Sequence, residues 1–394
     1  MATGTMGLII IEEKNDMADI CIVGGGAAGM TAAICAKEKN PALDILIIEK
    51  KEQLGKKILA TGNGKCNLSN VRCENYPQTL AFFARLGLMT RTDEAGRIYP
   101  YTEEARAVSM ALQKRIQILG IKTATDSQVL SVSKREQFEI HTAKECLLAE
   151  KLLVACGGKA GPQFGTTGDG GRLAKQLGHY VTRLAPVLTA IDVKEDMSSL
   201  AGIRAKVCVC LSYRGKIIAE EAGELQFTKT GVSGICVFNL SRFLLIPEGK
   251  TMRDGFDDYR IFIDFFPGKD DLAEVLAERS KMEGFEGVHL LDFLVRAPLA
   301  ERIYRLSKGD RTEMARLLRC FALSPKGAGG WDHAQVTKGG VSLNEIDMTS
   351  MESKIVDGLY FAGEVIDYDG PCGGYNLQNA FETGMLAGKE MANE

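Results

Sequence analysis

The chain has 394 residues, 48 Lys and Arg against 51 Asp and Glu, a net charge of −3 and 45% hydrophobic content. That length exceeds one ordinary core, the mild acidity speaks against a nucleic-acid partner, and no apolar run is long enough to cross a bilayer. Eleven cysteines are scattered without a C-x-x-C pair, and His141, His179, His289 and His333 lie far apart. Free thiols in a reducing cytoplasm are therefore expected, and no metal centre.

Residues 1–16 read as an extension, because the first strand begins at Asp19, just after Met17-Ala18. Asp19-Ile-Cys-Ile-Val then runs into Gly24-Gly25-Gly26-Ala27-Ala28-Gly29, and Glu49 closes the next apolar run, Ile45–Ile48, twenty positions beyond Gly29. Strand, glycine turn, helix, strand and terminal acid make a dinucleotide-binding unit. In such a unit Gly24 permits the tight turn, Gly26 admits a diphosphate and Gly29 lets helix and strand approach. The diphosphate lies at the positive helix end opened by Ala27 and Ala28, and Glu49 accepts from ribose hydroxyls.

Residues 51–75, rich in Gly, Asn and Lys, read as a loop whose backbone comes close to a ligand. A helix is predicted from Glu103 to about Leu119, a meander over 128–133 and 138–141, and a short buried strand at 151–155 ending in Cys156-Gly157-Gly158. Thr166–Gly171 opens a helix over Arg172–Leu177. Composition changes after Pro186. Alternating runs at 205–211, 216–218 and 261–265 predict a β-rich insert over 187–268. Helical periodicity predicts a second insert over 269–330. The segment 331–394 returns to the first domain's character, with Gly358–Glu364 as a strand meeting a glycine and an acid. Gly370–Ala380 then leads into the last helix. The expected fold is an α/β dinucleotide-binding domain built from 17–186 and 331–394 and interrupted by the two inserts. Cys208 and Cys210 fall on one face of a predicted strand, and read as ordinary thiols.

Two features favour FAD over NAD. Glu364 suits a ribityl hydroxyl, and the Gly373-Gly374 helix start suits the negative end of a reduced flavin, worth about 0.3–1 kcal/mol exposed and up to about 2 when partly buried. The motifs Gly64-Lys-Cys-Asn67, Ser69-Asn70, Gly96-Arg-Ile-Tyr-Pro100, Phe227-Thr228, Gly231–Gly234, Val336–Val341, Phe361–Glu364 and Asp369–Leu377 resemble the BaiN-type (YhiN-like) family of NAD(P)/FAD-dependent oxidoreductases. The resemblance covers 18–392. It implies a two-dinucleotide-type Rossmann-like FAD domain with a β-barrel-like and a helical insert. It also implies reduction of conjugated enones of the 3-dehydro-bile-acid type, with FAD as cofactor and NAD(P)H as donor.

On that resemblance the cofactor set is Gly24, Gly26, Ala27, Ala28, Gly29, Glu49, Lys50, Lys57, Thr61, Gly62, Gly64, Cys66, Asn67, Val129, Cys156, Gly157, Gly363, Glu364, Gly374, Tyr375, Asn376 and Leu377. Tyr375 is the candidate proton donor and Arg97 the candidate for binding the substrate carbonyl. Cys372 departs from the family, where Thr is common; it either faces the flavin or fills a turn. Thr167–Gly170 also resembles fumarate-reductase and ketosteroid-dehydrogenase flavoproteins. No second G-x-G-x-x-G is present for NAD(P)H. An amine oxidase and an electron-transfer module stay open as alternatives. A tRNA-modifying flavoprotein is disfavoured by the acidic balance. The phenylalanines of the insert (Phe227, Phe238, Phe243, Phe262, Phe265, Phe266) read as core, and a small molecule is the expected substrate.

Overall fold

The strands Ala18–Val23 and Ile45–Ile48 are nearly continuous apolar runs, and such runs suit parallel strands covered on both faces. They pair in parallel, from Ile20 opposite Ile45 to Val23 opposite Ile48. The computed structural model describes residues 17–246 and 255–393; the expected extension at 1–16 lies outside them. Lys122–Ala124 adds a parallel edge strand beyond Ile45–Ile48. On the other side Ala18–Val23 pairs in parallel with Cys146–Val154.

That nine-residue strand carries two partners along its other edge. Residues 146–149 pair with the meander strand Phe138–Thr142, and residues 152–154 pair in parallel with Leu359–Phe361. One strand thereby sets the amino-terminal glycine turn and the carboxy-terminal Gly363-Glu364 side by side at the same sheet end. Ligands bind at this carboxyl end in open α/β sheets.

The helices Ala27–Lys39 and Tyr375–Met391 pack together over one common core with this sheet. The polar stretch 51–75, expected as loop, is instead a short helix (Lys56–Ala60), a 3-10 turn (Thr61–Gly64) and a two-residue strand (Ser69–Asn70). Its sparse apolar residues are enough to anchor it, because Ile58, Cys66 and Leu68 are buried, as are Ser69 and Asn70.

The chain leaves this domain through Ala185–Val187 and re-enters through Val336–Lys338, and those two strands pair antiparallel. Between them, seven antiparallel strands form one sheet. Its two edge strands, Phe321–Leu323 and Pro325–Ala328, are separated only by Ser324, so the sheet must roll up into a barrel-like form. These two strands come from the end of the segment expected to be helical. The helices Leu272–Arg279, Ala297–Ser307 and Arg311–Arg319 share a single core with the sheet, in which Leu276, Ile303 and Leu318 meet Val209, Phe227 and Ile263. The two inserts are thus one packed unit. Phe227 and Phe265 belong to its core, whereas Phe243 is 42% exposed. All eleven cysteines are free thiols, and among the described residues no helix is long and apolar enough to cross a membrane.

His179 ties the two halves of the first domain together. Its ring is fully buried, 3.1 Å from Glu345 Oε2 through Nδ1 and 2.9 Å from Ser353 Oγ through Nε2. Burial holds its pKa below the usual 6.5, against the opposing pull of Glu345. The unfolded chain therefore takes up a proton that the folded chain refuses. Stability present above about pH 6.5 is lost as pH falls through the lower folded value. Thermal unfolding from pH 8 to pH 5 should show this loss in the native protein, with a flatter profile in His179→Gln. Parallel profiles would refute it.

Candidate active site

The first helix, Ala27–Lys39, begins at Gly26 with no acidic residue in its first turn and no capping side chain. Its first N–H groups therefore offer an anion site of the kind a diphosphate occupies. The glycines before it are required for different reasons. Gly24 has φ +110°, and a Cβ there would lie 2.6 Å from the Ala155 carbonyl oxygen; a Cβ on Gly29 would lie 2.0 Å from the Gly24 carbonyl oxygen. Gly26 is different: a Cβ there would meet nothing within 4 Å. Open space over the helix start suits a bound group.

Glu49 closes this turn from below. Its carboxylate accepts from Gly25 N at 2.9 Å and from Lys51 N at 2.9 Å, which fixes its orientation and leaves lone pairs for ribose hydroxyls. Val129 is buried near this end: Ser127 N donates to the Glu49 carbonyl, and the Val129 carbonyl accepts from Arg172. Lys50 donates to Asp169 Oδ2 at 2.6 Å and Thr167 Oγ1 at 2.7 Å. Burial tends to raise the Asp169 pKa, but the Lys50 ammonium and the Thr167 hydroxyl outweigh it and hold the carboxyl below its ordinary range. Cys156 stands behind Gly24; burial first, then the Asp169 charge, push its thiol up to about 12, so it is neutral. Gly157 follows with φ +73°.

The carboxy-terminal element meets this turn at Gly363, where a Cβ would come within 2.9 Å of Ala28 Cβ. Gly363 N donates to Thr383 Oγ1 of the last helix at 2.9 Å. Glu364 accepts from Lys57 Nζ at 2.6 Å and from Thr337 N at 2.9 Å. Two acids predicted from widely separated motifs, Glu49 and Glu364, thus flank the same glycine turn. An open cleft of about 640 Å³, lined by residues of 168–184 that include Arg172, Lys175 and Arg183, adjoins a crevice reaching Gly157 and Glu364.

The third cluster surrounds the last helix start. A Cβ on Gly374 would collide with the Ser69 carbonyl oxygen at 2.4 Å and Asn67 Oδ1 at 2.7 Å. Asn70 Nδ2 donates to the Gly373 carbonyl at 2.9 Å, and Ser69 Oγ donates to Gln378 Oε1 at 2.7 Å. The 62–70 segment is therefore strapped across the helix mouth. Gly62 and Gly64 turn it through positive φ, Thr61 Oγ1 donates to the Ile58 carbonyl, and Cys66 N donates to the Thr61 carbonyl. Burial raises the Cys66 thiol to about 12.

Asn67 Oδ1 is buried without a hydrogen-bond partner among the described residues. A buried acceptor left unpaired costs about 1–3 kcal/mol. A flavin nucleotide, with its ring N–H and ribityl hydroxyls, carries the donors this oxygen lacks. With the open space over Gly26, this makes the residues present fit FAD.

Some expected residues support the site from within the protein. Asn376 accepts from Gly370 N at 2.8 Å and donates to the Gly370 carbonyl at 2.9 Å, closing the 370–376 loop on itself. Leu377 packs on the first domain's core. Cys372 fills the turn: its side chain packs with Val187, Leu188, Val336 and Phe238, and burial raises its thiol to about 12. Tyr375 is the first residue of the last helix. Arg97 lies on a strand paired with Ser69–Asn70, and its Nε is 2.7 Å from Asp93 Oδ2, so its charge is already matched. Sequence reasoning missed Thr337, Thr383 and Gln378, which position Glu364, Gly363 and Ser69. It also missed Asp369, held by Arg242 and Lys338 at 2.8 Å each. Thr337 and Asp369 lie inside the quoted motifs Val336–Val341 and Asp369–Leu377 without being singled out there, and Thr383 and Gln378 carry no spacing signal.

A model of the HI0933-like protein Rossmann domain matches residues 75–390, and a model of an FAD binding domain matches residues 19–72. The 3-dehydro-bile acid delta(4,6)-reductase of Clostridium scindens is 33% identical over 95% of this chain and 98% of its own. The ribosomal RNA dihydrouridine synthase of Escherichia coli is 28% identical over 95% of this chain and 98% of its own. Among solved structures, the 3-ketosteroid delta1-dehydrogenase from Sterolibacterium denitrificans superposes with a TM-score of 0.52 at 12% identity. It covers 95% of this chain and 99% of that one, a likeness of fold alone.

Proposed function

From a chain that belongs to the HI0933-like family and is an FAD-dependent oxidoreductase, we propose a reductase of carbon–carbon double bonds conjugated to a carbonyl, with NAD(P)H as electron donor. The two curated relatives are named for chemically different substrates, yet each substrate holds a carbon–carbon double bond conjugated to a carbonyl. A 3-dehydro bile acid with delta(4,6) unsaturation carries C=C conjugated to its ketone. Uridine becomes dihydrouridine when its C5=C6 bond, conjugated to C4=O, takes up two hydrogens. The observation that carries the reading is the helix mouth at Gly373-Gly374, with Asn67 and Tyr375 beside it.

When bound, FAD supplies the hydride chemistry that no side chain can. The chain's own tasks are to hold, orient and deliver protons. The Gly26–Ala28 N–H groups bind the diphosphate, Glu49 and Glu364 accept from ribose and ribityl hydroxyls, and Asn67 Oδ1 accepts one further donor. The positive end of the Tyr375–Met391 helix favours negative charge at its mouth. Tyr375 holds the proton destined for the α-carbon, and Arg97, steadied by Asp93, binds the carbonyl oxygen. Tyr375→Phe should slow single-turnover reduction by about 10²-fold or more with flavin content unchanged; an unaltered rate would remove Tyr375 from this role.

The proposed substrate is a small apolar enone, on the strength of the more similar relative and the net charge of −3. A uracil base within ribosomal RNA is the second reading, favoured by the 28% and 26% identical synthases. The test is anaerobic. NADH or NADPH should bleach the flavin band near 450 nm, and a bile-acid dienone should restore it, giving a product heavier by two hydrogens. Restoration by an rRNA transcript alone would overturn the small-substrate reading in favour of the second. Restoration by neither would overturn conjugated-alkene reduction altogether.

A further inference from the structure

Away from the flavin cleft, the insert sheet brings three metal-ligating side chains together. Cys208 and Cys210 are two residues apart on the strand Arg204–Tyr213, so both project from the same face. It is the outer face, because Val207, Val209 and Leu211 point into the core at 3% exposure or less. In the antiparallel pairing with Lys216–Phe227, Cys210 stands directly opposite Glu220, and residues so paired have neighbouring side chains. The Cys210 thiol donates to Glu220 Oε2 at 3.2 Å. The two Sγ atoms and one carboxylate oxygen all lie within 4.8 Å of one another. The register also shifts between Leu211 and Ser212, immediately after Cys210, and such bulges re-aim adjacent side chains.

The geometry points to a Zn(II) site formed by Cys208 Sγ, Cys210 Sγ and a Glu220 carboxylate oxygen, with water completing a tetrahedron. Two thiolates and one carboxylate are a donor set that a borderline-soft divalent ion accepts. Zn–S bonds of about 2.3 Å in a tetrahedron place two sulfurs about 3.8 Å apart, so the observed spacing needs less than about 1 Å of adjustment. As a divalent cation binds, the two thiol protons leave to solvent. Asp264 faces Cys208 from the other neighbouring strand, but its carboxylate accepts from Arg319 Nε at 3.2 Å and Phe266 N at 2.8 Å. It is already engaged, which leaves the fourth position to water.

The test uses the flavin-loaded, reduced and metal-stripped full chain, dialysed against micromolar free Zn(II). One zinc per chain is expected, with two sulfur neighbours near 2.3 Å by X-ray absorption. Cys208→Ser and Cys210→Ser should each abolish it, and Glu220→Gln should weaken it. Cys146→Ser, a change at an exposed thiol elsewhere, should leave it intact. Flavin absorbance and thermal unfolding confirm that each variant is folded. The proposal is overturned if the native chain takes up no zinc, or if both Cys208→Ser and Cys210→Ser retain it.

Discussion

Gly26→Ala should yield a folded, colourless protein. The backbone at Gly26 has φ −84°, which alanine adopts without strain, and its Cβ would point into open space. Thermal unfolding should therefore match that of the flavin-free native chain. The added methyl sits over the N–H groups meant for the diphosphate, so FAD affinity should fall by about 100-fold or more, about 2.7 kcal/mol. The neighbouring glycine makes the contrast sharp. Gly29→Ala puts a Cβ 2.0 Å from the Gly24 carbonyl oxygen and should cost folding as well as flavin. Flavin titration with calorimetry on both variants separates the two effects. If Gly26→Ala binds FAD as the native chain does, the diphosphate does not lie at this turn.

Gly388→Val should be the most damaging single change far from any ligand. The last helix lies against the first so closely that a Cβ on Gly384 would meet the Ala28 carbonyl oxygen at 2.5 Å, and one on Gly388 the Ala32 carbonyl oxygen at 2.3 Å. Both obstacles are backbone, so no side chain can rotate away and the helices must separate. Overpacking typically costs about 1–3 kcal/mol, and a clash with backbone belongs at or beyond the upper end. Total stability is only about 5–15 kcal/mol. A fall in Tm on the order of 5–10 °C is expected, with weaker flavin retention, because this helix begins at Gly374. Lys389→Ala, on the exposed side of the same helix, should change neither. A Gly388→Val protein with native Tm would mean that the two helices are not held at this distance.

The proposed chemistry places unequal demands on the residues around the flavin. Glu49, Glu364 and Asn67 each have lone pairs to spare, and they need a ligand with donors. Arg97 and Lys57 already have carboxylate partners within 2.7 Å, so their charges are positioned rather than free. Burial keeps the thiols of Cys66, Cys156 and Cys372 neutral. The proposal gives the proton for the α-carbon to Tyr375, which opens the last helix.

Local order in the chain was enough for the dinucleotide unit. Gly24, Gly26, Gly29 and Glu49 lie within or beside one strand–helix–strand segment, where spacing along the chain translates directly into geometry. Composition also changes after Pro186, next to the strand Ala185–Val187, which pairs with Val336–Lys338. Residues 51–75 were harder. A handful of buried side chains outweighed a polar, glycine-rich composition, and propensity does not register so few contacts. What only the tertiary structure decided depends on pairings across long stretches of chain: Asn70 on Gly373, Thr383 on Gly363, Gly388 on Ala32, and Glu220 opposite Cys210. Such contacts arise from strand register and helix packing. These are set by the burial of whole faces, and no single segment carries the information for them.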